Sequence, residues 1–166
     1  MNKIMTIDGR KISKDILEEI KKEVSMLSFV PVFCDVLVGD DIVSKQYVNL
    51  KRKKAESIGI DFYDASFTST ITTEEVISKI HELNKMENMC GIIVQLPLPG
   101  HLDTRRILDA IDPMLDVDCL GTQASDIFYK GDGGMAFPTA LACMRILEEV
   151  KIDLPNSNVV VLGQGE

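Results

Sequence analysis

The run Gly91-Ile92-Ile93-Val94-Gln95-Leu96 constrains the fold more than any other stretch of this 166-residue chain. It is short and apolar, and it lies between segments with helical periodicity. A strand of that kind has no wet face, so it belongs in a sheet covered by helices on both sides. Two other stretches read as partners. Phe29 to Val38 is rich in Val and Phe and ends at Gly39-Asp40-Asp41, with pairing expected to begin after Pro31; Ile60 to Phe67 is the second.

Helical patterns fill the gaps between these strands. Ser13 precedes Ile16, Leu17, Ile20, Val24 and Leu27, spaced as one apolar stripe among Lys and Glu. Ser44 to Ile58 reads as a helix closed by Gly59, and Thr72-Thr73-Glu74-Glu75 is a capping-box pattern that turns Val76, Ile77, Ile80 and Leu83 inward. The repeated order of helix and strand makes the class α/β, a three-layer arrangement with helices on both faces of the sheet. Downstream, the pattern predicts a helix over Thr104 to Ile111, a loop-rich stretch from Asp112 to about Gly134, a helix over Leu141 to Val150 and a strand over Asn158 to Gly163. That strand runs into Gly163-Gln164-Gly165, the way a first βα turn of a dinucleotide-binding fold begins. An ordinary strand and tight turn fit the same residues equally well.

Composition narrows the partners. With 45% hydrophobic and 27% charged residues the chain reads as a folded domain, and a net charge of −8 argues against nucleic acid as a partner, since Lys51 to Lys54 is the one basic cluster. No apolar run reaches bilayer length and Met1-Asn2-Lys3-Ile4 does not open a signal peptide, so the expectation is a cytoplasmic protein without a membrane partner. Cys34, Cys90, Cys119 and Cys143 are widely separated, with no C-x-x-C pair and no neighbouring His. They read as buried thiols in a reducing compartment, and no metal site is expected.

Three segments carry polar side chains suited to chemistry. Tyr47 and Lys51 are four residues apart, with Ser44 one turn earlier, so one helix face presents a phenol and an amine together. A lysine exchanges protons usefully near neutrality when burial or neighbouring charge (Arg52, Lys53, Lys54) tunes it. Gln95 stands at the carboxyl end of the most apolar strand, where ligands of open α/β sheets collect, with Pro97 and Pro99 holding the chain extended beyond it. Asp116 and Asp118 follow Asp112-Pro113, and alternation lets only one of them face a given side. Each also has a plain structural explanation: a solvated basic face, an amide capping loop backbone, and turn carboxylates.

In combination and order, these segments resemble the bifunctional methylenetetrahydrofolate dehydrogenase/methenyltetrahydrofolate cyclohydrolase family, called FolD in bacteria. The resemblance runs over residues 36 to 118. It rests on Val38-Gly39-Asp40-Asp41 leading to Ser44, Tyr47 and Lys51, then Gly59-Ile60, then Val94-Gln95-Leu96-Pro97-Leu98-Pro99, then Ala110-Ile111-Asp112-Pro113 with Asp116-Val117-Asp118. It implies an enzyme of one-carbon metabolism and purine biosynthesis acting on tetrahydrofolate derivatives. Lys51 would be the general acid/base for hydrolysis of the methenyl bridge, Tyr47 would touch the lysine and the folate, Gln95 would hold and tune Lys51, and Asp118 would accept hydrogen bonds from the pterin. Ser44, Val94, Leu96 and Pro97 would complete the substrate site. The family's other step passes hydride to NADP, with NAD the alternative, on a Rossmann-like domain, for which Thr139, Gly163, Gln164 and Gly165 are the candidate contacts. A homodimer is implied as well.

The sequence departs from the family on the cofactor side. Leu115 replaces a Lys, Cys119-Leu120-Gly121 replaces a Gly-Phe-His-like string, Ala124 and Asp126 stand for Asn and Gly, only Thr139 survives of a Pro-Cys-Thr-Pro motif, and Gly163-Gln164-Gly165 stands for Gly-Arg-Ser. The expected division is a tetrahydrofolate-binding catalytic domain over 1–122 and an incomplete beginning of an NAD(P)-binding Rossmann domain over 123–166, a truncated form without dehydrogenase activity. A non-catalytic folate-binding or interaction module of the same descent, and an unrelated nucleotide-binding α/β domain, are the other readings.

Overall fold

Three parallel strands form the centre of the computed structural model, which describes residues 6–163. The strands are β1 (Val32–Val38), β2 (Asp61–Phe67) and β3 (Met89–Val94), in the spatial order β2-β1-β3. Val36 of β1 sits opposite Ala65 of β2 and Val94 of β3. A parallel sheet needs cover on both faces, and the pleat of β1 supplies it. Cys34, Val36 and Val38 point into a core with Val76, Ile80 and Leu83 of α3 (Thr73–Leu83) and Ile107 and Leu108 of α4 (Thr104–Asp109). The alternate residues Asp35 and Leu37 are buried on the opposite side, where α2 (Ile42–Ser57) packs on β1 and β2. Each fully buried Leu or Ile contributes about 1.5–3 kcal/mol.

Polar side chains mark the helix starts. Asp8 accepts from the backbone N–H groups of Arg10 and Lys11, both at 3.1 Å, so α1 (Gly9–Ser25) begins before Ser13 rather than after it. Asp41 caps α2 through the Ser44 N–H at 2.7 Å, and Thr72 with Glu75 forms the expected capping box on α3. At the far end of α2, the Ile60 N–H donates to the Ala55 carbonyl and the Gly59 N–H to that of Glu56. This Schellman closure needs a left-handed residue, supplied by Gly59 at φ 88°.

Beyond α4 the expectations need correction. Thr122–Lys130, expected as loop, is a helix, α5. It buries only Ala124 and has no side-chain cap at its start, and its readable mark is the left-handed Gly131, φ 73°, that closes it. Its start is pinned from outside, by the Thr122 N–H donating to Asp109 at 2.7 Å. The next helix, α6 (Pro138–Glu149), starts three residues earlier than expected because Pro138 occupies its first turn. Residues 158–163, expected as a strand, pair with no strand among the described residues, and Val159 to Leu162 stand 62–93% exposed. An apolar run is no ladder without a neighbour to bond. Among the described residues no helix is long and apolar enough to cross a membrane.

Candidate active site

Outside the carboxyl end of β3 a cleft of about 300 Å³ is lined by Tyr47 and Lys51 of α2, Val94, Gln95 and Leu96 at the end of β3, and Asp118 with Leu120 from the segment after α4. Each wall is placed by a local device. Four-residue spacing puts Tyr47 and Lys51 on one face of α2. Gln95 still follows the sheet, because its N–H donates to the Val36 carbonyl at 2.9 Å. Its amide is oriented: Nε2 donates to the Leu96 carbonyl at 3.2 Å, and Oε1 accepts from Lys51 Nζ at 2.9 Å.

The third wall hangs from α3 and β3. Asn84 donates to the Ala110 carbonyl at 2.9 Å and accepts from the Asp112 N–H at 3.1 Å, while Asp112 Oδ1 accepts from Met114 N–H. Residues 115–117 then run beside β3, with the Ile92 N–H donating to the Leu115 carbonyl at 2.8 Å and a parallel bridge joining Ile92 and Asp116. That approach requires glycine at 91, since a Cβ there would lie 2.6 Å from Val117 Cγ1. Alternation then separates the two carboxylates. Asp116 is buried and accepts from the Gly121 N–H at 2.7 Å, the turn role, and Asp118 reaches the cleft.

One polar group in the site was missed in the sequence. Asp35, in the middle of β1, is fully buried on the α2 side, and Lys51 Nζ lies 2.5 Å from its Oδ2. Both carboxylate oxygens lack a hydrogen bond of good geometry, so the approach of Nζ is a close charge contact and not a directed bond. Burial pushes the Asp35 carboxyl above the ordinary range, Lys51 draws it back, and Asp64 adds to the rise. Asp118 is also pushed up, by burial first, against the pull of Lys51 and with Asp116 and Asp35 adding to the rise. The signal for Asp35 was a lone carboxylate inside Phe33-Cys34-Asp35-Val36-Leu37, read only as an apolar strand. Arg52, expected to lend Lys51 positive charge, is instead paired with Asp64 and stacked 4.8 Å over Phe62.

The remaining expected residues fall elsewhere. Ser44 is buried in the first turn of α2, its N–H on Asp41, and it does not line the cleft. Pro97 follows the lining residue Leu96 through a cis peptide bond. Thr139 is exposed in the first turn of α6, and Gly163 has open space where a Cβ would stand. Neither residue lines the cleft that holds Lys51. Gln164 and Gly165 lie outside the described residues.

Residues 7–118 match the model of the tetrahydrofolate dehydrogenase/cyclohydrolase catalytic domain. The chain belongs to that family. The bifunctional protein FolD of Nautilia profundicola is 40% identical over 163 residues, which cover 96% of this chain and 57% of that protein. Among solved structures, the bifunctional FolD enzyme of Campylobacter jejuni superposes with a TM-score of 0.85 at 33% identity, covering 89% of this chain and 54% of its own. The Trypanosoma brucei dehydrogenase-cyclohydrolase, complexed with NADP cofactor and inhibitor, gives 0.85 at 30% identity, over 93% and 54% of the two chains. This family member therefore spans somewhat over half the length of the relatives it matches.

Proposed function

We propose that this chain carries the tetrahydrofolate side of a methylenetetrahydrofolate dehydrogenase/methenyltetrahydrofolate cyclohydrolase, and that the cleft between α2, β3 and Asp118 hydrolyses the methenyl bridge to the 10-formyl compound. The observation that carries the reading is the amine of Lys51 held 2.9 Å from the oriented Gln95 amide, facing the same cleft as Tyr47 and Asp118. In the reaction, water oxygen bonds to the bridge carbon while Lys51 takes one of its protons. The carbon then forms its carbonyl as the bond to N5 breaks. Lys51 returns its proton to N5, and the hydroxyl proton leaves to solvent. Tyr47, 59% exposed, offers a ring face to the pterin, and the Asp118 carboxylate suits the paired N–H donors of an aminopyrimidinone.

By the same reading, residues 1–122 form the folate-binding domain and 123–166 the beginning of an NAD(P)-binding domain. The whole protein is a cytoplasmic homodimer using NADP, or NAD, in one-carbon metabolism that serves purine biosynthesis. When bound, a nicotinamide would supply the hydride acceptor for the methylene bridge, in keeping with relatives described as NADP-complexed or NAD-dependent dehydrogenases. Here the proposal for Thr139, Gly163, Gln164 and Gly165 rests on that kinship.

The test is the decay of 5,10-methenyltetrahydrofolate absorbance with the purified chain. The reading expects hydrolysis above background, lost by about 10²-fold or more in Lys51→Ala with folate binding largely retained. Binding without hydrolysis in the unmutated chain would leave the non-catalytic folate module in its place.

A further inference from the structure

Asp35 has no structural employment of its own. It is fully buried, lies between Cys34 and Val36, and leaves both oxygens without a well-directed donor. A buried carboxylate is costly unless a charge or hydrogen bonds compensate it, and an apolar side chain would fill this strand position without that cost. What touches it is the amine of Lys51, at 2.5 Å. Lys51 is thus gripped between a carboxylate and the Gln95 amide oxygen, with 27% of its side chain left exposed.

We propose that Asp35 is a positioning residue for Lys51, its carboxylate 2.5 Å away fixing the amine in the cleft and holding the ammonium form it takes on during the reaction. The inference deepens the hydrolysis reading above and rests on it for its catalytic meaning. When Lys51 returns its proton to N5, Asp35 stays a carboxylate, and it steadies the ammonium that forms again when the next water attacks the bridge carbon and gives Lys51 its proton. Between turnovers the pair holds one proton. Other groups around it are accounted for: Asp64 on β2 is matched by Arg52, Asp116 is bonded to the Gly121 N–H, and Asp118 and Tyr47 line the cleft beside Lys51.

Two variants test it, Asp35→Asn and Asp35→Val, the second chosen because it completes the apolar strand and folds even if the first does not. For methenyl hydrolysis, kcat falls by about tenfold or more with KM little changed, and the acid limb of the pH–rate profile moves to lower pH by about one unit. A packing role alone would leave that limb in place. The second readout needs no folate: the rate at which acetic anhydride acylates Lys51, mapped by mass spectrometry against the exposed Lys53. It rises about tenfold in both variants, because a carboxylate beside an amine favours the unreactive ammonium. Unchanged acylation of Lys51 relative to Lys53 overturns the proposal. If the unmutated chain hydrolyses nothing, the functional reading fails, and the acylation ratio still decides whether Asp35 governs Lys51.

Discussion

At the scale of single residues, the site contrasts two acids raised by burial. Because folded Asp35 titrates above its ordinary value, the folded state holds that proton more tightly than the unfolded chain does. Its contribution to stability is therefore fully present below about pH 3.9, the unfolded value, and is lost as pH rises through the folded value. Asp35→Asn removes that dependence, and Lys51, partly exposed, can turn to water. The urea midpoint of the variant is expected to exceed that of the unmutated chain at pH 7, with the gap closing toward pH 4; a gap independent of pH would contradict the burial argument. Asp118 lines the cleft, and under the proposed function Asp118→Ala acts on binding. A hydrogen bond to a charged group is worth about 1.5–3 kcal/mol, or about 10- to 100-fold in folate affinity by calorimetry. Lys51, Gln95 and Asp118 were legible in the sequence because their segments have distinctive order and spacing. Asp35 was not, because burial and a partner sixteen residues away along the chain become visible only once α2 is laid on β1.

Elements position these residues, and their own signals were unevenly readable. The starts of α2 and α3 coincide with Asp41 and Thr72, whose side chains satisfy otherwise unpaired N–H groups. Thr72→Ala should lower stability by about 1 kcal/mol, read from denaturant midpoints, without altering the cleft. α5 escaped notice because it is nine residues long, buries one alanine and borrows Asp109 from α4 to start in place of a cap of its own. The parallel run of residues 115–117 beside β3 escaped for a related reason: it is secured by a missing side chain. Gly91→Ala forces a methyl against Val117 and should cost about 1–3 kcal/mol. Because Asp118 follows Val117 directly, the same change should weaken folate binding. Gly91→Ala combined with Val117→Ala should restore both, and recovery of stability alone would uncouple the strand contact from the site.

Over the whole molecule, a three-stranded parallel sheet brings α2, the end of β3 and the segment after α4 to one edge of the fold, although they are dispersed over 72 residues from Tyr47 to Asp118. Strand and helix alternation disclosed that architecture, since a doubly covered sheet leaves short apolar strands as its mark. The last segment did not follow, because Val159 to Leu162 has strand chemistry but no neighbouring strand among the described residues. The fold also offers other concavities, among them an apolar groove between α1 and α6 that includes Ile12, Ile16 and Ile146. The most direct measurement of which one receives folate is a titration of the isotope-labelled chain with 5-formyltetrahydrofolate, followed by amide NMR. The account predicts shifts concentrated at Tyr47, Lys51, Gln95, Asp118 and Leu120, with Ile12, Ile16 and Ile146 unmoved. Shifts confined to the α1–α6 groove, with the Lys51 cleft silent, would contradict it.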